Sequence, residues 1–234
     1  MTILHPVPRF VKNELPLLVN GDRMKQPEFH RRYEQYPDHV KIELINGIVY
    51  MASPLSRLHS LYHEELGFVL GLYRRATPGI ELCPDATTIL GEESEPRPDL
   101  TLRILTECGG QSTVDAKGYL TGPPELLAEV AYSSRAIDLN QKRDDYEKAG
   151  VLEYLVLSIE DDQLFWFRFP SGVNITANRQ GIYRSTVFPG LWIHEEALLA
   201  RDSPRLQKVL QEGLKSKPHA AFVKRLERAR RRPS

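Results

Sequence analysis

The chain has 234 residues, 41% hydrophobic and 26% charged, which is enough apolar material to bury a core as one domain or as one domain with an appendage. Its two cysteines, Cys83 and Cys108, exclude a disulfide framework and a cysteine-based metal site. No run approaches 18 uncharged apolar residues, and the first residues lack the apolar centre of a secretion signal. We therefore expect a cytoplasmic protein without a membrane partner.

The net charge of zero is distributed unevenly along the chain. Residues 213–234 contain eight Lys or Arg and one acid, Glu227, so this end carries +7 and residues 1–212 carry −7. An acidic body argues against broad, charge-driven binding of nucleic acid. We expect the basic end to be solvated and frayed, and contact with phosphates is the alternative.

The first half of the chain predicts helices separated by strands. Residues 26–37 form a short helix closed by Pro37, and residues 41–52 form a hairpin around Asn46-Gly47, a dipeptide typical of type I′ turns. Ser53-Pro54 then opens a helix with an apolar stripe that continues to about Arg75. Three strands are predicted next, at 80–84, 87–90 and 99–105. A loop over 106–124 follows them.

The second half begins with "ELLAEVAYSS", residues 125–134, a strand-length apolar run. A helix from about Ile137 to Ala149 follows, with Gly150 at its C-terminal cap. The remaining elements are strands at 153–159, 163–169 and 181–188 and a helix at 204–214. This order predicts an α/β (α+β) domain with a central mixed β-sheet flanked by helices.

Glu129 is the one charged residue inside the apolar part of the 125–134 run. An ionised carboxylate buried without a partner is costly, so this residue needs a physical explanation. It could lie on the wet face of an edge strand, or it could belong to a metal or proton site. Asp99, just inside an earlier strand, could join Glu129 on one hard divalent cation if the two strands are neighbours.

The helix after this strand repeats polar residues at steps of four. Asp138, Lys142 and Tyr146 share one helix face. Lys142 could be directed at a carboxylate pair, where it would hold an anionic phosphate or orient a water. The alternative is an exposed Asp–Lys helix pair.

Five sequence blocks occur in an order that resembles the Uma-two family of restriction-endonuclease-like bacterial domains. They are "IELINGIVYMASP", "SRLHSLYHEEL", "RPDLTL", "ELLAEVAYSSRAIDLNQKRDDYEKAGVLEYLVL" and "VFPGLWI". That family is assigned to the PD-(D/E)XK nuclease superfamily. The resemblance implies an endonuclease-like domain over residues 20–214, with an N-terminal extension at 1–19 and a basic tail at 215–234.

The resemblance also implies the site residues and their chemistry. Asp99 matches the Asp of the superfamily's "PD" motif, and Glu129 matches the next acid, both of which bind Mg²⁺, with Mn²⁺ as a substitute. The backbone carbonyl of Val130 would be a further ligand of the ion. Ala131 stands where the superfamily commonly has its catalytic lysine, and Lys142 matches the position that this family uses instead.

Further positions match the family with weaker implications. Glu43 matches a common Glu-Leu pair, and His59 matches a histidine at the start of a helix; each could instead have a structural role. The implied activity is metal-dependent hydrolysis of nucleic acid, with DNA as the first expectation and RNA open, by a homodimer. The alternative is a non-catalytic module that binds nucleic acid or protein and retains the nuclease fold.

Overall fold

The computed structural model describes residues 15–37, 39–170 and 172–231. Its α-helices are α1 (Gln26–Tyr33), α2 (Arg57–Ala76), α3 (Arg143–Ala149), α4 (Glu195–Leu199), α5 (Ser203–Leu214) and α6 (Lys217–Arg230). Its strands are β1 (Ile42–Ile45), β2 (Ile48–Met51), β3 (Ile80–Pro84), β4 (Thr88–Ile89), β5 (Leu100–Ile104), β6 (Thr113–Val114), β7 (Leu120–Thr121), β8 (Leu126–Ala131), β9 (Glu153–Ser158), β10 (Gln163–Arg168), β11 (Val173–Ile175), β12 (Ile182–Arg184) and β13 (Trp192–His194). Thr106–Cys108 forms a 3₁₀ turn and Ile137–Lys142 a π-helical segment.

A six-stranded mixed sheet organises the molecule, in the order β11-β10-β9-β8-β5-β3. Strands β8 and β9 run parallel, and the remaining neighbours pair antiparallel. The parallel pair is joined through the π-helical segment and α3, as a parallel connection requires a crossover. The predicted central mixed sheet flanked by helices is confirmed.

Both faces of this sheet are covered by helices. The larger core packs α2, α5 and α6 on one face, where Leu66, Leu102 and Leu155 are buried. The smaller core lies on the other face, where Tyr146 of α3 packs with Leu127 and Tyr154. Sheets covered on both faces have apolar strands, which explains why β8 and β9 are buried at every position.

The hairpin β1–β2 forms beside this sheet together with α1. Asn46 and Gly47 both have positive φ, 48° and 77°, as a type I′ turn requires. The hairpin and α1 share a third apolar cluster that includes Phe29 and Leu44. The predicted hairpin is therefore confirmed, and it brings Glu43 toward the face of the sheet that carries α3.

Two sequence expectations in the first half differ from the structure. Helix α2 begins at Arg57 rather than at Ser53-Pro54, because the Ser56 hydroxyl caps it by accepting from the His59 N–H at 3.1 Å. The segment 106–124 is more than a loop, since it contains the 3₁₀ turn and strands β6 and β7. These strands pair with β4 in a small sheet of their own.

The basic C-terminal segment also differs from its expectation of a solvated, frayed end. It forms α6, which packs on the large core through Phe222 and Leu226. The two proposed domain boundaries, 19/20 and 214/215, stay predictions, and residues 1–14 of the extension and 232–234 of the tail lie outside the described residues. Among the described residues, no helix combines the length and the apolar character that crossing a membrane requires.

Candidate active site

The pairing of β5 with β8 places Asp99 beside Glu129. Leu100 is the partner of Ala128 in this antiparallel pair, so one step further along brings Asp99 opposite Glu129. The Asp99 N–H donates to Glu129 Oε2 at 3.3 Å. Because side chains alternate along a strand, both carboxylates point to the face that carries α3, away from the large core.

Glu129 lies at the centre of this cluster and is 2% exposed. The Lys142 ammonium donates to its Oε1 at 2.9 Å, and the Tyr146 hydroxyl donates to the same oxygen at 3.2 Å. Strand β8 is an interior strand between β5 and β9. The alternative of a water-facing Glu129 on an edge strand is therefore wrong.

Asp99 is held by groups from α2, from β8 and from Lys41, which immediately precedes β1. His59 Nε2 lies 3.2 Å from its Oδ2 and Lys41 Nζ lies 3.2 Å from its Oδ1. The Val130 N–H donates to Oδ2 at 2.9 Å, and His63 Nε2 lies 3.0 Å from the Asp99 carbonyl oxygen. Both oxygens of the carboxylate therefore have a fixed orientation before any ligand binds.

Lys142 joins the carboxylates of three elements. Its ammonium lies 2.9 Å from Glu129, 3.0 Å from Glu43 Oε2 and 3.5 Å from Asp138 Oδ1. Asp138 and Lys142 are both buried, so the alternative of an exposed helix pair is wrong. They lie in the π-helical segment, a widened geometry frequent at functional sites.

The cluster contains more negative than positive groups. Four buried carboxylates line it: Glu43, Asp99, Glu129 and Asp138. Two ammonium groups, from Lys41 and Lys142, line the same cavity. With all four acids ionised and His59 neutral, the residues lining the cavity carry two uncompensated negative charges, which one divalent cation would balance.

Burial and the neighbouring charges shift the pKa values of these acids. Burial raises the pKa of Glu129 to about 8; Lys142 opposes the rise, and the charges of Asp99 and Asp138 add to it. Burial also raises the pKa of Asp138. At Asp99 burial acts in the same direction, but the His59 bond and the Lys41 charge prevail and hold the pKa well below its usual range. The pKa values of the two central carboxylates are thus shifted in opposite directions, a pattern typical of functional sites.

The donor set fits a hard divalent cation. Asp99 and Glu129 offer carboxylate oxygens, the ligands that Mg²⁺ and Mn²⁺ prefer. Asp138 Oδ1 is buried without a hydrogen-bond partner. Within the ranges that the structure describes, no group of three or more His, Cys, Asp or Glu side chains is arranged to hold one metal. An ion would therefore combine two side chains with a backbone carbonyl and water, as Mg²⁺ commonly does.

A cavity of about 350 Å³ connects this cluster to the surface. Its inner wall contains the charged groups, and its mouth is formed by the end of β2, the 52–56 segment and the residues after β8. Met51, Leu55 and Tyr132 at the mouth are exposed, and Leu55 has 63% of its surface accessible. The rim is therefore more apolar than the interior.

The structure brings together every site residue named from the sequence: Glu43, His59, Asp99, Glu129, Val130, Asp138, Lys142 and Tyr146. Their roles in catalysis or metal binding stay predictions. Sequence reasoning missed Lys41 and the part that His63 plays in holding Asp99. Lys41 could have been found, because it lies two residues before Glu43, and alternate residues of a strand share a face.

Comparison with known proteins gives a family and a fold. The sequence matches the model of the Uma2 family, described as "Putative restriction endonuclease", over residues 27–200. Among solved structures, the fold is similar to that of a protein from Anabaena variabilis described as a "putative nuclease belonging to DUF820". The two are 13% identical with a TM-score of 0.56, over 73% of this chain and 96% of that one. A search of curated proteins found no match.

Proposed function

This chain belongs to the Uma2 family, and from that premise we propose that it is a metal-dependent endonuclease that hydrolyses phosphodiester bonds in nucleic acid. The observation that most strongly supports the proposal is the convergence of Asp99, Glu129 and Lys142 in one buried cavity that contains more acids than bases. A fold needs no such concentration of like charges for stability, because burying each of them is costly. A catalytic site that binds a cation does need it.

Asp99 and Glu129 would hold one or two Mg²⁺ ions, with the Val130 carbonyl as a further ligand. A bound ion of this kind polarises a phosphoryl oxygen and lowers the pKa of a coordinated water. His59 and Lys41 orient Asp99, and Tyr146 orients Glu129, so the ligands need little rearrangement on binding. Lys142 would position the attacking water or stabilise the negative charge that grows on the phosphate.

The class of nucleic acid follows from the family description. Restriction endonucleases act on DNA, so we propose DNA as the substrate, and a homodimer as the form that cuts both strands. His59 and Glu43 are assigned supporting roles, Glu43 because it accepts from the Arg97 N–H at 2.8 Å while pairing with Lys142.

The test is cleavage of plasmid, linear and single-stranded DNA and of RNA, with Mg²⁺ or Mn²⁺ and with a chelator. Wild-type protein is compared with Glu129→Gln and with Glu125→Gln. Glu125 is the matched control because it is a buried carboxylate next to the same strand, but it accepts from the backbone N–H groups of Ile104 and Gln111, away from the cavity. We expect metal-dependent cutting by the wild type and Glu125→Gln, and none by Glu129→Gln. Equal cutting by all three would contradict the proposal.

One observation favours a second candidate, a non-catalytic binding module with this fold. Lys41 and Lys142 already pair with Asp99 and Glu129, so the carboxylates have cationic partners without a metal. Mg²⁺ added during thermal melting separates the two candidates, since a ligand that binds the folded state raises its melting temperature. A melting temperature indifferent to Mg²⁺, with no cleavage, would support the binding module.

A further inference from the structure

Helix α6 and Arg231, the residue at its C-terminal cap, carry a stripe of cations on the outer face of the helix. Its members recur at intervals of seven, four and three residues: Lys217, Lys224, Arg228 and Arg231. With 3.6 residues per turn, these four positions lie within an arc of about 60°. All four are exposed. They form the outer basic stripe.

The opposite face of α6 is committed to the core. His219, Phe222 and Leu226 are buried there, and Leu226 packs close to Gly79 and Cys108. Because its apolar face is used in this way, α6 has no second apolar face to insert into a lipid surface. The packing also fixes which way the cations point, so the stripe is a property of the folded domain.

The stripe cations differ from other exposed lysines of the chain in their ion pairing. None of the four forms an ion pair within the part of the chain that the structure describes. By contrast, Lys25 and Lys148 pair with Glu93, and Lys117 pairs with Glu34. A row of exposed cations on an ordered helix, left unpaired in a chain with an acidic body, is available for a polyanion.

We propose that the outer basic stripe binds the phosphate backbone of a nucleic acid, an inference that rests on the proposed function for its choice of polyanion. At 1.5 Å per residue the stripe is about 21 Å long, and its cations are separated by about 10, 6 and 4.5 Å along the helix axis. A duplex presents a phosphate about every 1.7 Å of its axis, so each cation can reach one. Contacts of this kind hold nucleic acid without reading its sequence.

The stripe lies away from the candidate active site. Helix α6 packs near Gly79, at the end of the sheet where β3 begins and β5 ends. Asp99 immediately precedes the opposite end of β5. At 3.3 Å per strand residue, the two ends of β5 are about 15 Å apart. The stripe therefore holds nucleic acid at a distance from the cleaved bond. The family match ends at residue 200, so this surface lies outside the matched region.

The test measures binding of a fluorescent DNA duplex by anisotropy, with a chelator present to prevent cleavage, over a series of salt concentrations. The stripe variant carries Lys217→Gln, Lys224→Gln, Arg228→Gln and Arg231→Gln. The control variant makes the same charge change elsewhere, at four exposed cations: Lys25→Gln, Lys117→Gln, Lys148→Gln and Arg179→Gln. Circular dichroism melting of each variant verifies that it is folded.

We expect the stripe variant to bind at least about tenfold more weakly at low salt, and the slope of log K against log salt to fall in magnitude by about 3 to 4. The control should change both quantities much less. Wild-type affinity and slope in the stripe variant, or no binding by the wild type at low salt, would overturn the inference. Its failure is distinguishable from failure of the proposed function, because cleavage depends on Glu129 and is measured separately.

Discussion

The structure explains why a charged residue, Glu129, lies within an apolar strand. A carboxylate in the middle of an apolar strand is held by Lys142 and Tyr146 and lies beside Asp99. The direction of this side chain could be predicted from the sequence, since strand alternation places Glu129 on the opposite face from the apolar residues on either side of it. Which strand would lie beside it could not be read from the sequence, because register depends on contacts between distant segments.

Glu129→Gln should abolish cleavage and cost about 1–3 kcal/mol in the free energy of unfolding, because an amide accepts with one oxygen where both Glu129 oxygens accept. Lys142 keeps Glu43 and Asp138 as partners, so the variant should remain folded. Thermal melting alongside the cleavage assay measures both effects. A variant that is inactive because it is unfolded would contradict this expectation.

Glu125→Gln should lose a similar amount of stability and keep its cleavage activity. Both Glu125 oxygens accept backbone N–H groups, and an amide can accept with one oxygen alone, so one buried donor loses its partner. We expect a loss of about 1–3 kcal/mol in the free energy of unfolding, with cleavage per folded molecule retained. Denaturant unfolding gives the first quantity and active-site-normalised rates give the second.

Lys142→Gln should be among the most destabilising changes in the chain. It leaves four buried carboxylates with Lys41 as the remaining ammonium group among the residues lining the cavity, and breaking a buried pair in this way costs about 3–5 kcal/mol. Added Mg²⁺ should restore part of the loss, because a divalent ion replaces the missing charge. Lys148→Gln, at an exposed lysine in the last turn of α3, should change stability by less than about 0.5 kcal/mol. A similar cost for both variants would contradict the account.

At the scale of elements, local signals predicted well and non-local ones did not. The Asn46-Gly47 hairpin and the Gly150 cap follow from positive φ, which a short sequence encodes. The π-helical segment could not be predicted from the sequence, since the spacing of Asp138 and Lys142 fits an ordinary α-helix equally well. Helix α6 was not predicted because its segment is strongly basic, although Phe222 and Leu226 are spaced four apart on one face.

Helix α3 contains a group whose titration should affect stability. Burial raises the pKa of Asp145 to about 6, although its bond from the Ser94 hydroxyl opposes the rise. The folded state therefore binds this proton more tightly than the unfolded state, whose aspartate pKa is about 3.9. Stability from this group is present below pH 4 and is lost as the pH rises through 6.

Asp145→Asn should remove this dependence. The difference in the free energy of unfolding between the variant and the wild type should shift by roughly 1–3 kcal/mol in favour of the variant from pH 4 to pH 7. Urea unfolding at several pH values measures the shift. A constant difference across this range would show that Asp145 is not the titrating group.

At the scale of the whole molecule, charge is separated between two places. The candidate active site concentrates acids at one end of β5, and the outer basic stripe lies beyond the other end. The acidic body argued against broad, charge-driven nucleic-acid binding, but a sum of charges cannot show that the bases share one helix face. The overall architecture and the helix at 204–214 followed from the sequence, whereas the packing of α6 on the core required tertiary contacts to be known.

Binding of a divalent cation at the candidate active site should stabilise the fold. Mg²⁺ at about a hundred times its dissociation constant should stabilise the wild type by about 2.7 kcal/mol. Asp99→Asn should show little stabilisation, because it removes one of the two side-chain ligands. Differential scanning fluorimetry over a magnesium series tests this, with Ca²⁺ as a comparison for ion size.

The most direct test of the central claim is the single-turnover rate of DNA cleavage by Asp99→Asn at saturating Mg²⁺, relative to wild type. Asp145→Asn serves as the control, since it changes a buried aspartate outside the cavity. We predict a loss of several orders of magnitude for Asp99→Asn and a near wild-type rate for Asp145→Asn. Retained cleavage by a folded Asp99→Asn protein would contradict the assignment of this cavity as the active site.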